Sequence, residues 1–494
     1  MHGQKHDYNW VFGSYENRGE DINSDGNMIN FNEEIIQIDI FEKEYDMYTS
    51  NASYSDSLGK LIFISNGCEL YDSNGQILEN GDGLNEGETA DDFCLGGDLS
   101  AYIADSQSML ALPIMDGSGD CYLFHKRAEV EQNFGIGYLL MSIIEKTNNE
   151  YVVSEKNILV EDSVDISVLT ATKSIDLENW WIVSTKRFSD KKLIINLDNE
   201  GNISKKTQAI GKRLSDNNES ESYSSFSPDG SKFVIIGEAD GLQIFDFDRE
   251  TGELSNYQFL EAPQDFTGGR AGLAFSSSGR FLYTCHWKKI YQYDMWRADV
   301  AESVVVFDWE ENYDDLWGYP TPFFRMERGP DCRIYLSAHN STNTIHVIHH
   351  PDQKGVDCGL QQNIKVPAYN IGTLPSYPNY RLGTGEVCDS AKKFPPELTT
   401  AIEQAAINER SEDAIILYPN PTSGEISIEF DSFEKGEVVF QLFDMQGREV
   451  YKLKNLDVVG SVHISDIDVL QGMYLYSILK EDEILKKGKL VVVE

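Results

Sequence analysis

The sequence lacks several signals that would assign it to a familiar class of protein. Its seven cysteines include no CxxC pair, which disfavours a zinc ribbon or a thioredoxin-like site. No apolar run is long enough to cross a membrane as a helix, so we expect no membrane-spanning segment. The chain also has no G-x-S-x-G nucleophile elbow and no glycine-rich phosphate loop. No catalytic motif is therefore available as a starting point.

Basic residues are few compared with acidic ones. The chain has 41 Lys and Arg against 82 Asp and Glu, which gives a formal net charge of -41. A field of this sign repels phosphates and anionic lipid headgroups, so we expect no nucleic-acid partner. It favours solubility and attracts cations. The simpler interpretation is an acidic, solvated surface without a specific partner.

Long helical periodicity is absent before about residue 397. Short apolar segments such as Leu61–Ser65 and Phe233–Ile236 recur instead. Turns rich in Asp, Asn, Gly and Ser separate them, for example residues 72–75 and 198–201. Such residues tolerate positive φ and close tight hairpins. This pattern predicts an all-β domain.

A degenerate internal repeat indicates the architecture of that domain. Residues 225–233 resemble residues 274–282, and residues 326–335 form a third copy. Each copy reads as strand, turn and strand, and the copies start about 50 residues apart, which is the length of one four-stranded propeller blade. Residues 8–388 are therefore predicted to form a β-propeller of about seven blades. A pair of β-sandwiches is the alternative.

The character of the sequence changes after residue 388. Residues 389–412 read as a linker that contains a short helix. Residues 413–494 show the alternating apolar pattern of a small β-sandwich, with strands at Ile426–Phe430 and Met473–Leu479. The predicted fold is thus all-β, with a propeller of about seven blades in the first domain and a small sandwich in the last.

Three motifs follow one another in the last domain, at residues 417–424, 442–450 and 470–476. Prolines make the first motif rigid, and glycines permit the bends of the other two. The characteristic residues are Pro419, Asn420, Pro421, Gly424, Asp444, Gly447, Gly472 and Tyr474. The ordered motifs resemble the type A sorting domain of the type IX secretion system, known from Bacteroidetes. The resemblance implies export by that machinery, removal of this domain, and release or attachment to surface lipopolysaccharide.

The first residues, 1–7, lack the apolar core of a signal peptide. A cytosolic protein starts in this way, and so does an exported protein whose leader is absent from the chain. The sorting motifs favour the second interpretation. We therefore expect a secreted or cell-surface protein.

The region of residues 8–388 resembles a group of exported, WD40- or YVTN-like propeller proteins that often carry the same tail. The similarity rests on ordered short segments: Asn9–Gly13, Ser65–Asp72, Asn80–Asn85, Asn179–Val183, Phe245–Gly252, Gly329–Asp331 and Leu374–Tyr380. Cys332 departs from the pattern at a position where a turn glycine is usual. The group has no established catalytic residues, so the resemblance implies none here.

A calcium loop is one candidate site. Asp21, Asn23, Asp25 and Asn27 match the start of the pattern D-x-N-x-D-G, whose oxygen atoms converge on a hard cation. Asn32 stands where a bidentate glutamate is expected. Calcium is the one cofactor that the sequence indicates, and an ordinary Asx-rich surface turn is the alternative.

Two further groups of residues are weaker candidates. His346, His349 and His350, near His339, suit a metal site or polar positions at a blade edge. The other group suits a glycosidase or sugar-binding site, or an acidic rim loop over packed aromatics. It comprises Glu310, Glu311, Asp314 and Asp315, with Trp309, Tyr313, Trp317 and Tyr319 around them.

The odd number of cysteines leaves at least one thiol unpaired unless it bonds between chains. Cys68 with Cys94, and Cys358 with Cys388, are spaced for ordinary disulfide loops. Sequence does not fix the connectivity, so other pairings stay open.

The sequence as a whole indicates an exported propeller that binds an extracellular protein or glycan without catalysis. A hydrolase or lyase acting on polysaccharide or peptide is one alternative, and a structural component of the cell surface or gliding apparatus is another. Convergent carboxylates or an open metal site in the central funnel would favour the enzyme. A funnel filled by hydrophobic side chains would favour binding.

Overall fold

The computed structural model describes residues 4–13, 25–43, 45–48, 50–95, 101–102, 107–129, 136–148, 150–214, 222–237, 241–261, 271–313, 318–338, 340–370, 372, 374–385, 387–395, 415–418, 422, 424–430, 436–443, 448–458, 461–465, 467, 469–480 and 483–492. The chain divides into two compact units, Met1–Pro395 and Pro396–Glu494. Within the described ranges, no helix has the length and apolar character needed to cross a membrane.

The first unit begins with two small antiparallel sheets. The first sheet contains β1 (Asn9–Phe12), β2 (Gly26–Asn30) and β3 (Gln37–Phe41). The second contains β4 (Ala52–Ser55), β5 (Leu61–Ser65) and β6 (Leu70–Tyr71). A short helix, α1 (Glu88–Phe93), follows the second sheet.

Seven consecutive strands then form one antiparallel sheet. They are β7 (Met109–Pro113), β8 (Cys121–Glu129), β9 (Ile136–Thr147), β10 (Glu150–Lys173), β11 (Trp180–Lys186), β12 (Lys191–Leu197) and β13 (Ile203–Ala209). Strand β10 has 24 residues, and its pairing with β9 shifts register repeatedly between Val153 and Val164. Such bulges bend a strand. The first part of β10 therefore completes one group of four strands, and its last part begins the next.

The remaining sheets of this unit have four antiparallel strands each. The first consists of β14 (Ser222–Phe226), β15 (Lys232–Gly237), β16 (Gly241–Asp248) and β17 (Glu253–Leu260). The second consists of β18 (Ala271–Phe275), β19 (Phe281–His286), β20 (Lys289–Asp294) and β21 (Val305–Asp308). The third consists of β22 (Phe323–Arg328), β23 (Ile334–Ala338), β24 (Thr342–Ile348) and β25 (Leu360–Asn370). Two 3₁₀ helices, Ala301–Ser303 and Gly355–Cys358, lie between strands. The three copies of the sequence repeat lie on the hairpins β14–β15, β18–β19 and β22–β23.

The hairpin turns follow the chemistry of their Asp and Gly residues. After β6, the Asp72 carboxylate accepts hydrogen bonds from the N–H groups of Asn74 and Gln76 at 2.8 and 2.9 Å. Gly75 completes this turn with a φ of 77°, which glycine adopts without steric strain. These local bonds end each strand after a few residues and reverse the chain.

The sheets pack face to face around an axis. Strand β1 lies beside β4, β4 beside β7, β7 beside β10, β10 beside β14, β14 beside β18, and β18 beside β22. Buried apolar side chains fill the spaces between neighbouring sheets, as Val183 and Phe233 do in one cluster and Tyr283 and Phe323 in another. This radial arrangement is that of a β-propeller and confirms the predicted architecture. The structure accommodates seven blades when β10 is shared between two, and the blade number stays a prediction.

The second unit is a small sandwich, as predicted. Its strands are β26 (Ile415–Tyr418), β27 (Ile426–Phe430), β28 (Gly436–Phe443), β29 (Glu449–Val458), β30 (Ser461–Ile464), β31 (Gly472–Lys480) and β32 (Glu483–Val492). One sheet has the order β26-β27-β30 and the other β29-β28-β31-β32. Ile428, Phe440, Ile478 and Leu490 are completely buried in its core.

The border between the units falls inside the predicted linker of residues 389–412, between Pro395 and Pro396. Residues 389–395 belong to the first unit because their backbone pairs with it. The Asp389 N–H donates to the Pro330 carbonyl at 2.7 Å, and the Ile36 N–H donates to the Lys393 carbonyl at 2.9 Å. The short helix predicted for the rest of the linker lies outside the described residues.

Candidate functional site

A segment of the chain itself lies along the axis of the propeller. We call residues 374–385 and 387–395 the strap. It makes hydrogen bonds to five strands that face the axis and to the turn after β14, through Asn9, Ser53, Ala111, Lys173, Glu327 and Pro228. Because these strands surround the axis, a segment that bonds to five of them lies at the centre.

Tyr380 is the most deeply buried part of the strap. Its side chain has no exposed surface, and its hydroxyl donates to the Ala111 carbonyl at 2.7 Å. The ring meets Trp180 and Tyr54 edge-on, at centroid distances of 6.2 and 6.4 Å. Burial raises the pKa of the Tyr380 hydroxyl well above its usual range, so the group stays neutral. Tyr380 thus joins the strap to the apolar core of the early blades.

Tyr377 joins the strap to the first two sheets. Its ring stacks on Trp10 at a centroid distance of 5.7 Å. Its hydroxyl hydrogen-bonds the Ser53 hydroxyl at 2.7 Å and the Asn9 carbonyl at 3.3 Å. Aromatic residues with one satisfied polar atom suit such a position, because they bury a large area without leaving a donor unpaired.

Arg381, which follows Tyr380 in the strap, forms a buried ion pair. Arg381 Nη1 and Nη2 donate to the two carboxylate oxygens of Asp7 at 2.6 and 2.7 Å. Both side chains are more than nine-tenths buried. Lys173 Nζ donates to the Tyr380 carbonyl at 2.7 Å, and burial lowers the pKa of this lysine to about 8. Charged donors therefore satisfy the strap's polar groups in the interior.

A polar cavity of about 30 Å³ lies beside the strap. Glu327 and Arg328 at the end of β22 line it, together with Tyr223 of β14 and Ser376 of the strap. Burial raises the pKa of Glu327 to about 8 and lowers that of Arg328 to about 10. This volume holds about two or three water molecules, since a single water needs roughly 10–15 Å³ on this measure. It does not hold a substrate.

The raised pKa of Glu327 is of the kind found in catalytic acids, but the residue lines the small cavity beside the strap. A carboxyl group that is protonated at neutral pH is able to act as a general acid. Here the group faces the cavity, the strap and the neighbouring strands, and the Tyr377 N–H lies 3.4 Å from its Oε2. The arrangement explains the protonation of Glu327 by desolvation, without a bound substrate.

The described members of the histidine group, His346, His349 and His350, do not converge on one point. His346 is buried in β24, and its Nδ1 accepts a hydrogen bond from the Asn363 N–H at 3.2 Å. His349 pairs through Nε2 with Gln361 Oε1 at 2.8 Å, whereas His350 is exposed. Burial lowers the pKa of both His346 and His349 to about 3. Separate polar partners make these rings structural, and His339 lies outside the described residues.

The predicted calcium loop is described only in part. Asp21 and Asn23 lie outside the described residues. Asn27 is completely buried in β2, where its side-chain amide donates to the Ala368 carbonyl and accepts from the Ala368 N–H, each at 2.8 Å. Asn27 thus joins the first sheet to β25 instead of presenting its oxygen to a surface cation. In the described ranges, no three His, Cys, Asp or Glu side chains are grouped to hold a metal ion.

The acidic and aromatic loop is also described in part, since Asp314, Asp315 and Trp317 lie outside the described residues. Trp309 is buried, which agrees with an aromatic packed beneath a loop. Tyr313 is 47% exposed, and its hydroxyl donates to Glu311 at 2.7 Å. A sugar site at this loop stays a prediction.

An apolar groove lies between β17 of one sheet and β20–β21 of the next. Its volume is about 500 Å³. Nine described residues line it, and seven of them are apolar or aromatic: Phe259, Leu260, Tyr291, Tyr293, Ala301, Val304 and Val306. The other two are Glu261 and Lys289, and Val306 is 44% exposed. The sequence pattern gave no sign of this groove, because its walls come from different blades.

The structure forms one of the two predicted disulfides and changes the other. Cys68 and Cys94 are bonded. The predicted pair Cys358–Cys388 is wrong, because Cys388 of the strap is bonded to Cys332, with 5.2 Å between the Cα atoms. Cys358 is instead a buried free thiol in the core beside Tyr283. The strap carries Cys388 to the β22–β23 turn, a proximity that spacing along the chain does not reveal.

The axial residues Asp7, Glu327 and Arg381 were missed by reasoning from sequence. In the sequence, residues 374–380 show only a resemblance to other propellers. The signal that marks them is a pair of tyrosines and an arginine in a proline-containing segment that follows the last strand. From the sequence alone, such a segment is interpreted as a surface connection, because its burial depends on sheets formed by distant parts of the chain.

Of the described residues of the sorting motifs, Gly424 lies before a strand, whereas Gly472 and Tyr474 belong to β31. Gly424 has a φ of 112° just before β27, and Gly472 begins β31. Tyr474 is buried, and its hydroxyl donates to the Leu470 carbonyl at 2.5 Å. The other characteristic residues, Pro419, Asn420, Pro421, Asp444 and Gly447, lie outside the described residues.

Several solved structures resemble the chain weakly. A functionally unknown protein from Desulfotomaculum acetoxidans DSM 771 has 12% identity and a TM-score of 0.37, over 72% of this chain and 96% of that one. A protein of unknown function from Bacteroides thetaiotaomicron VPI-5482 has 8% identity and a TM-score of 0.31, over 75% and 84%. A puromycin hydrolase has 9% identity and a TM-score of 0.36, over 85% and 56%. Likeness at this level carries no argument about function.

No curated protein matches the chain. Residues 416–493 do match a family, described as the secretion system C-terminal sorting domain. This match covers the sandwich strands β27 to β32 completely and agrees with the three ordered motifs. The protein is therefore a β-propeller followed by a type IX secretion sorting domain, which implies secretion or a place at the outer-membrane surface.

Proposed function

We propose that this protein is an exported surface propeller that binds an extracellular protein and catalyses no reaction. The observation that carries the proposal is the strap on the axis. A substrate would have to displace Tyr377, Tyr380 and the buried Arg381–Asp7 pair before it reached Glu327. We therefore expect a partner to bind to the outer surface of the blades.

The groove between β17 and β20–β21 supports a protein partner over a glycan. Its lining is mainly apolar and aromatic and includes two charged residues, Glu261 and Lys289. Apolar and aromatic surface is typical of the centre of a protein interface. Glycan recognition depends more on polar groups that bond to sugar hydroxyls, together with an exposed aromatic face, as at Tyr313.

The proposal is tested by capturing partners at the surface of intact native cells with the full chain, and by measuring the affinity of each purified partner. Val306→Glu places a charge in the groove, whereas Val356→Glu is a matched control at an exposed valine elsewhere. We expect Val306→Glu to weaken binding at least tenfold, which corresponds to about 1.4 kcal/mol, and Val356→Glu to leave it unchanged.

Three results would contradict the proposal. Equal binding by both variants would show that the groove is not the contact surface. Turnover of a polysaccharide or peptide by the purified protein, abolished by Glu327→Gln, would identify an enzyme instead. Binding of purified glycans that is lost on Tyr313→Ala and retained in Val306→Glu would replace the protein partner with a sugar.

A further inference from the structure

The two ends of the propeller ring meet without sharing a strand. Each sheet of the first unit consists of strands that are consecutive in the chain, so none of the sheets in the described part combines strands from both ends. The first and last sheets meet through side chains, as Trp10 does with Tyr335 at a centroid distance of 5.3 Å. Asn27 adds its paired hydrogen bonds to Ala368. Backbone pairing within a sheet therefore does not close this ring.

The strap supplies backbone and ionic links to the first sheet. Lys393 pairs in parallel with Ile35, just before β3. The Ile36 N–H donates to the Lys393 carbonyl at 2.9 Å, and the Lys393 N–H donates to the Glu34 carbonyl at 2.8 Å. The bidentate pair of Arg381 with Asp7 adds a second link, next to β1.

The same segment is held covalently to the last sheet. Cys388 is bonded to Cys332 in the turn between β22 and β23. The neighbouring Asp389 N–H donates to the Pro330 carbonyl at 2.7 Å, and Arg333 Nη1 donates to the Lys392 carbonyl at 3.1 Å. The strap is thus attached to both sheets that form the seam of the ring.

The backbone conformation at Cys332 is strained, which indicates that the disulfide contributes something that offsets this strain. Cys332 has a φ of 71°, in the left-handed region that glycine occupies freely and other residues adopt with strain. The equivalent turns after β14 and β18 have Gly230 and Gly279 at φ 73° and 72°. Of these three turns, only the one that Cys388 of the strap bonds to has a cysteine in place of the glycine.

We propose that the strap is the closure element of the propeller, and that the Cys332–Cys388 disulfide is its clasp. The strap replaces the missing shared strand: it ties the first sheet to the last and fills the axis between them. Loss of the clasp opens the seam between β1–β3 and β22–β25 before the other sheets separate.

Hydrogen exchange of the full chain, followed by mass spectrometry, tests the proposal. The variants are Cys332→Ser with Cys388→Ser, and Cys332→Gly with Cys388→Ser, which also relieves the strained backbone. The matched control removes the other disulfide through Cys68→Ser and Cys94→Ser. We expect both clasp variants to exchange at least tenfold faster in residues 374–385, β1 and β25, with β14–β17 unchanged. The control should change exchange only near α1.

Two outcomes would overturn the proposal. Faster exchange confined to residues 387–395 would mean that the disulfide only fixes the end of the unit. Equal effects of the clasp and control variants at β1 and β25 would mean that the seam has no special dependence on the strap. Lys393→Pro gives a second test for the case in which the cysteine variants do not fold. It removes the N–H that bonds to Glu34, and at least threefold faster exchange at β1 is expected, whereas no change at β1 counts against the strap.

Discussion

The carboxyl group of Glu327, which is half-buried and lines the axial cavity, leads to a prediction about stability and pH. Burial raises its pKa from 4.5 to about 8, so folding favours the protonated form. The stability that this preference contributes is fully present below pH 4.5, declines as the pH rises, and is lost above pH 8. A difference of about 3.5 pH units, at 1.36 kcal/mol per unit, corresponds to at most about 5 kcal/mol of unfolding free energy.

Glu327→Gln keeps the size of the side chain and removes its titration. We expect the variant to be within about 1 kcal/mol of the natural protein at pH 5 and more stable by several kcal/mol at pH 9. Urea unfolding between pH 5 and pH 9 measures this difference. Groups that titrate equally in both proteins cancel, so the comparison isolates residue 327.

Glu310→Gln is the matched control, because Glu310 is exposed on a loop. This substitution should leave the pH dependence of unfolding unchanged. An identical pH dependence for the natural protein and Glu327→Gln would refute the reasoning, since it would show that the carboxyl group at the axis ionises as it does in water.

Two further predictions concern the axis and the buried histidines. Arg381→Ala leaves the Asp7 carboxylate buried without its partner and should lower the unfolding free energy by about 3–5 kcal/mol. The control Lys393→Ala, at an exposed side chain, should change the unfolding free energy by less than about 1 kcal/mol. Burial lowers the pKa of His125 and His346 to about 3, so stability should fall as the pH drops below 6.5. Acid titration followed by tryptophan fluorescence checks this, and a flat profile down to pH 4 would contradict it.

The architecture was predictable because its signals are local. Alternating apolar residues and Asp- and Gly-containing turns each involve a few neighbouring residues, and the repeat shows the same strand–turn–strand unit at blade spacing. The structure contains these strands and turns. The turn at Asp72–Gly75 shows this directly, since its side-chain hydrogen bonds join neighbours in the chain. The sandwich and its sorting motifs were predictable for the same reason.

The axial site was not predictable because its contacts join distant parts of the chain. Asp7 and Arg381 are 374 residues apart in sequence, and Tyr380 and Ala111 are 269 apart. Neither residue of either pair stands out locally. The second disulfide was assigned wrongly for the same reason, since the partner of Cys388 depends on where the strap lies. Chain spacing favoured Cys358, whose thiol the core encloses.

The most direct test of the account asks whether the C-terminal domain delivers the propeller to the cell surface. Residues 413–494 would be deleted from the full precursor, and the propeller on intact cells would be detected by antibody labelling and by its sensitivity to added protease. The account predicts surface labelling of the natural protein and retention of the deletion variant inside the outer membrane. Equal labelling of both proteins at the surface would contradict it.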